Sequence, residues 1–583
     1  MHGNRSIRLR VLSIIIFSFL LFALTPVSAS DRSDTVVLNA MEKELNRSWK
    51  KLRLDGYEAP YFISYQIKDN AFYSIKGKYG AIVDLSNDRK RRLFVDVRVG
   101  DYEFDNSILG NSGGNSSAID SSIIPIDNDV DSIRAILWQA TDATYKDALT
   151  QYFNKKAENV DDVKDEEIAS FSREKPHVYS GPEIALVFDP NDWEAKIREV
   201  SSVFKEYKDL IDASVSITAQ KETVYFVNSE GSRDVGDEIL YSIDADATTR
   251  ADDGRVIENY TNLYYFSLQE IPSVDQLKSI MRDLVKETLD MKTADVLSPV
   301  NVPAILEPEA AGIVFHEAVG HRLEGERQIN DKEGQTFKDK VGEKIIPPFL
   351  SIVDDPELKS FNGTRLLGYY PVDDEGVPGQ TVALVENGIL KNFLLSRTPI
   401  NGFEKSNGHG RAAYRRAPMA RMSNTIVKSK KEYPKEELKR MLMEEVKRQK
   451  KPFGLIIEKM TGGETNTSTY DFQAFSATPL VVYKVDPETG KETLVRDVEI
   501  VGTPLVSINK IIATGDHYAV FNGFCGAESG YVPVSTVSPS ILVSEIELQR
   551  QTSKKEKLPL LPPPFFDGDS DRNAIKPERV GDD

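Results

Sequence analysis

His316-Glu317-Ala318-Val319-Gly320-His321 is the stretch of this 583-residue chain whose residue types and spacing could do chemistry. It carries two of only six histidines, with Glu317 beside the first and Glu324 just beyond the second. Two neutral imidazoles next to a carboxylate are what a catalytic zinc site requires: the nitrogens bind the ion and the carboxylate takes the proton of an attacking water. In the commonest zinc helix the histidines stand four residues apart, about 40° around the axis. Here the step is five, about 140° on an ideal helix, so a regular helix cannot aim both rings at one ion. Either the pair marks a helix end, with His321 at the last carbonyls and Glu317 in solvent, or the helix widens or breaks between them. Gly320, immediately before the second histidine, tolerates the non-helical dihedrals of such a break.

The rest of the chain must position this stretch. Arg5, Arg8 and Arg10, an apolar run over residues 11–24 and the small residues Val27-Ser28-Ala29 read as an export signal ending at residue 29. A periplasmic or secreted mature protein is expected, with an uncleaved anchor as the alternative. No later segment approaches transmembrane length, so no stable membrane span is expected after cleavage. The formal charge of -18 and the lack of a basic stripe make nucleic acid a poor partner, and the Arg89-Lys90-Arg91-Arg92 run is expected at a hairpin end. Cys525 is the single cysteine. It cannot form an intrachain disulfide, so in an oxidising compartment it is a buried bystander, an intermolecular link or a ligand.

Length favours two packed domains, and a hydrophobic content of 40% suffices for their cores. The expected fold class is α+β, with an N-terminal antiparallel sheet carrying helices over residues 30–297 and a β-rich domain over 298–553. A Pro-rich, acidic, disordered tail is expected from 554 to 583. Leu38, Met41, Leu45, Trp49 and Leu52 recur at helical steps within residues 36–54, and Ile133 to Tyr152 do the same. Residues 106–174 read as a loop insertion around that second helix, closing with an acidic excursion over 158–174. Strands are expected at 61–67, 93–99, 184–188, 214–220 and 223–228, with a turn at Ser229-Glu230-Gly231. Ser273 and Gln276 open a capping-box helix running to about Lys292. Pro308 suits a first helical turn, so residues 309–320 are expected as a short helix bearing both histidines.

The stretch from Pro308-Glu309-Ala310-Ala311 through His321 and Glu324 resembles the signature of the TldD/PmbA metalloprotease family, in its metal-containing TldD branch. The likeness continues in Asp373-Asp374-Glu375-Gly376-Val377-Pro378, Asn407-Gly408-His409-Gly410-Arg411, Pro418-Met419-Ala420-Arg421-Met422-Ser423-Asn424-Thr425, Gly462-Gly463 and Phe524-Cys525-Gly526. The resemblance implies one zinc ion per chain held by His316, His321 and Cys525, a fourth position for water, and Glu317 as general base. It also implies extended peptide substrates added to a sheet edge, and a dimer, whether a homodimer or a pairing with a metal-free sister chain. Glu324 either orients an imidazole or is a surface carboxylate. His409 and Arg421 either polarise a scissile carbonyl or hold a substrate carboxylate, or belong to a structural loop. His517 reads as structural. The function expected is an exported zinc metallopeptidase acting on small or unfolded peptides. The alternatives are a peptide-binding, chaperone-like module with structural zinc and a hydrolase of a non-peptide amide.

Overall fold

Alternation of apolar and polar residues builds two large sheets, seen in a computed structural model that describes residues 35–108, 123–158, 168–330, 332–468, 475–502, 504–551 and 555–566. The expected export signal lies outside the described residues. The first sheet has seven strands. Pro60–Lys78 pairs antiparallel with Ala81–Val99 and with Asp212–Asn228, which pairs in turn with Arg233–Arg250. Val256–Tyr265 adds antiparallel to the last of these, and the short Val178–Ser180 adds parallel. Ile63, Tyr65, Leu93 and Val97 pack against helices Val36–Lys51 and Val130–Glu158. The far end of the sheet packs against Pro190–Ser201 and Val274–Thr293. The latter helix opens with the expected reciprocal cap between Ser273 and Gln276.

Several expectations need correcting. The strands expected at 61–67 and 93–99 are the inner ends of 19-residue strands, whose outer halves carry too few apolar residues to show alternation. The basic run lies mid-strand, and the hairpin turns at Tyr79-Gly80. Arg91 sits directly opposite Asp69 in the ladder and is buried in an ion pair with it at 2.7 Å. Residues 184–188 form no strand and leave Ile184 and Val187 exposed. Trp49 is exposed rather than on the buried helix face. Of the expected acidic excursion, residues 159–167 are not described, but Phe171 and Ser172 are buried. The Phe171 ring lies 5.0 Å from Phe62 and 4.0 Å from the Arg397 guanidinium carbon. Residues 555–566, expected to be disordered, return to the first sheet, where Phe565 lies 5.5 Å from Tyr79.

The second sheet has thirteen strands of mixed direction. At its centre Gly530–Arg550 pairs antiparallel with Val300–Leu306 and Ile511–Ala527, and parallel with Asn424–Ser429. Side chains alternate along these strands. Ala304, Leu306, Ile541 and Val543 therefore meet helix Pro308–Ala318 on one face, while Ile305 and Leu542 meet Lys435–Arg448 on the other. The fold is α+β, with an antiparallel, helix-bearing first half and a β-rich second half. Among the described residues no helix is long and apolar enough to cross a membrane.

Candidate metal centre

Pro308 fixes the first turn of the histidine-bearing helix, which ends at Ala318. Val319 leaves helical geometry, with φ -122° and ψ -48°, and Gly320–Leu323 continues as a tight 3₁₀ turn. His316 thus sits on the last α turn and His321 on the 3₁₀ turn, which removes the angular mismatch of a five-residue step. The break falls on Val319, so the expected role of Gly320 as the flexible point is corrected. Gly320 serves by being small: a Cβ there would lie 2.1 Å from Met422 Sδ.

The two rings stand nearly perpendicular, 5.0 Å apart, and both direct Nε2 at Cys525 Sγ, at 3.0 Å for His316 and 3.3 Å for His321. Cys525 comes from strand Ile511–Ala527, paired with Val532. It is buried while its neighbours Phe524 and Gly526 are exposed, the alternation of a strand with one covered face. The ligand atoms of all three residues lie within 4.8 Å of one another. Burial opposes charge at His321, but the Cys525 sulfur and the Glu324 carboxylate outweigh it and raise the imidazole to about 10. Burial likewise opposes ionisation of Cys525, yet His321 and His316 bring the thiol well below its ordinary range. A thiolate beside two imidazoles is a donor set that suits zinc, which binds in exchange for the protons. His316 Nδ1 is buried without a partner, so Nε2, facing the cluster, carries all of that ring's polar contact.

Glu317 flanks this group, its Oε2 3.9 Å from His321 Nε2. Strand Gly454–Thr465 passes over it so closely that a Cβ at Gly463 would lie 2.5 Å from Glu317 Cγ. Arg322 anchors the same strand, donating to the Glu317 carbonyl at 2.8 Å and to Thr465 Oγ1 at 2.8 Å.

The sequence pattern of the PmbA/TldA metallopeptidase C-terminal domain matches residues 299–550. A metalloprotease of Methanocaldococcus jannaschii is 30% identical over 339 residues, 57% of this chain and 70% of that protein. The chain belongs to the TldD/PmbA metallopeptidase family. A zinc metalloprotease TldD homolog of Saccharolobus solfataricus is 26% identical over 392 residues, 64% of this chain and 83% of its own length. Among solved structures, TldE from Thermococcus kodakarensis shares the fold, with a TM-score of 0.59 at 16% identity, covering 88% of this chain and 100% of its own.

In this family member the other site candidates fall into place around His316, His321 and Cys525. Glu324 is fully buried, and its Oε1 lies 3.1 Å from His321 Nδ1. A carboxylate can only accept, so Nδ1 carries a proton, and the Nε2 proton facing Cys525 is the one a bound metal would replace. Burial, which opposes ionisation, is overcome by His321 and Arg327, and Glu324 falls to about 2. Arg421 is fully buried and donates to the Cys525 carbonyl at 2.6 Å, to Ser529 Oγ at 2.7 Å and to the Gly530 carbonyl at 2.8 Å. It therefore holds the turn behind Cys525 and has no face for substrate. His409 takes the structural alternative: fully buried, with Nδ1 2.9 Å from Asn407 Oδ1 and Nε2 3.1 Å from Asp354 Oδ1, it holds the loop together. His517 is exposed on its strand, away from the cluster. A cavity of about 390 Å³ opens between the two halves, lined by Phe62, Arg98 and Phe171 from the first and Glu326, Arg327, Arg397 and Glu528 from the second. His316, His321 and Cys525 do not line it, although Arg327, bonded to Glu324, does.

Sequence reasoning missed Arg322 and Arg327, and it named Gly463 only as part of the family likeness, without a role. Arg327 stands three residues after Glu324, the spacing at which a turn brings opposite charges together, and that is the one signal available for it.

Proposed function

We propose that this chain is an exported, zinc-dependent peptidase that hydrolyses small or unfolded peptides. The observation that supports it most is the convergence of His316 Nε2, His321 Nε2 and Cys525 Sγ beside the Glu317 carboxylate. Among the described residues no fourth His, Cys, Asp or Glu joins the three. Three protein ligands are the number that catalytic zinc takes, whereas structural zinc closes its shell with four. Zinc held by this set supplies a Lewis acid for the scissile carbonyl and brings the pKa of water to about 7.

The chain's own residues do the remainder. Glu317 accepts the proton of water as the water oxygen attacks the carbonyl carbon, then passes it to the nitrogen as the C–N bond breaks. Glu324 fixes the tautomer of His321, and Arg421 fixes the backbone behind Cys525. The substrate enters as an extended strand, so backbone hydrogen bonds supply affinity with little demand on sequence. The mature protein acts beyond the cytoplasmic membrane and works as a two-fold dimer, with a second copy of itself or with a metal-free sister chain.

Purified protein should contain about one zinc per chain. Unchanged zinc content in both His316→Ala and Cys525→Ala would sink the ligand set. Glu317→Gln should keep the metal and lose cleavage of a mixed peptide library, read as new termini by mass spectrometry. Full cleavage by that variant would remove the proton-transfer role. Light scattering on the same preparation tests the dimer.

A further inference from the structure

The segments that carry His316, His321 and Cys525 lie far apart in sequence, and two buried guanidiniums, those of Arg327 and Arg421, reach from Glu324 to the hairpin of Cys525. Arg327 donates from Nε to Glu324 Oε2 at 2.7 Å, and Glu324 holds His321. On its other side Arg327 donates to Glu528 twice, from Nη1 at 3.1 Å and from Nη2 at 3.0 Å. Glu528 lies three residues after Cys525, at the turn between the paired strands Ile511–Ala527 and Gly530–Arg550. Nη1 also reaches Glu333 Oε1 at 3.0 Å and Thr467 Oγ1 at 3.1 Å. We propose that Arg327 is a positioning residue of the metal centre, setting the separation between the histidine turn and the Cys525 hairpin through Glu324 and Glu528.

The geometry calls for arginine in particular. A planar fork spans two carboxylates at fixed angles, whereas a lysine ammonium is a single point that satisfies one of them well. Glu324, Glu333 and Glu528 also repel one another, so the guanidinium holds together a group that would otherwise spread. Spreading would carry His321 and Cys525 apart, since each lies one short link from a carboxylate of the group. Arg421 also braces the Cys525 carbonyl, and its Nε lies 3.5 Å from Glu324 Oε1, so loss of Arg327 alone should slacken the centre without unfolding it.

The inference rests on the zinc reading above, and one set of measurements separates the two. Zinc affinity of the full chain is measured at 25 °C by competition with a chelator, beside the near-UV spectrum of the folded protein and the sulfur-to-cobalt charge-transfer band of the cobalt-loaded form. Arg327→Lys should retain the native near-UV spectrum, bind zinc about 10- to 100-fold more weakly and shift the cobalt band. Glu528→Gln, at a position whose side chain is 41% exposed and so tolerant of change, should act in the same direction. Exposed Arg440→Lys should change nothing. If wild type binds zinc and both Arg327→Lys and Glu528→Gln match it in affinity and cobalt spectrum, Arg327 does not position the centre. If wild type itself binds no zinc, the zinc reading fails, and this inference with it.

Discussion

A methyl group added at Gly463 would stand 2.5 Å from Glu317 Cγ, far inside any tolerable contact. The carboxylate is the part that can move, because the strand is held by Arg322 through Thr465. We therefore expect Gly463→Ala to keep its zinc and lose peptide hydrolysis by about 100-fold, the cost of displacing a reacting group by about 1 Å. Zinc analysis and steady-state kinetics on one preparation check both halves, and an unchanged kcat would show that Glu317 is not the group being positioned. His316, Glu317 and His321 are legible in sequence because rare residue types crowd one short stretch. Cys525 is legible as the sole cysteine, yet only the family resemblance turns it from bystander to ligand. Gly463 and Arg327 are not legible alone. One is a reserved space made by a distant strand, and the other is one basic residue among 73.

The helix that carries His316 gives way to the turn that carries His321 where Gly320 packs against Met422, and that contact makes the element testable. Gly320→Ala drives a Cβ into Met422 Sδ, a buried side chain, so we expect a loss of about 1–3 kcal/mol in denaturant unfolding. Met422→Ala in the same chain removes the obstacle. The double variant should then be more stable than the sum of the singles predicts, by about 1 kcal/mol or more. Strict additivity would place the strain elsewhere. Element ends set by local chemistry, such as the Ser273 cap and Pro308, are readable from sequence. Element lengths set by pairing are not: the long first hairpin carries Asp69 and Arg91 at positions that look solvated until the ladder puts them opposite each other.

Across the whole molecule, the two halves are joined by buried charge that no periodicity announces. Arg397 of the second half donates to the Ser172 carbonyl and pairs with Glu230 at 2.8 Å, both in the first half. Arg397→Ala leaves Glu230 without that cation and should cost about 3–5 kcal/mol. Hydrogen exchange should quicken at residues 168–174, and unchanged exchange there would refute the link. Buried acids shape the pH response. Burial raises Asp234 to about 8, and Glu326 and Glu375 to about 7. Their folded values exceed the unfolded ones of about 4, so the folded state keeps protons that the unfolded chain has released. That contribution to stability is lost as pH rises from about 4 to about 8. Asp234→Asn removes one such group and should raise Tm more at pH 9 than at pH 5, and an equal gain at both would contradict the assignment. The separation of His321 from Cys525, 204 residues along the chain, has one more consequence. An ion gripping both is a staple across that span, and it withdraws from the unfolded chain every conformation in which the two ends stray apart. Chelation should therefore soften the second sheet as well as abolish the proposed peptidase activity, and Tm should climb with free zinc in the manner of a ligand bound only by the folded form.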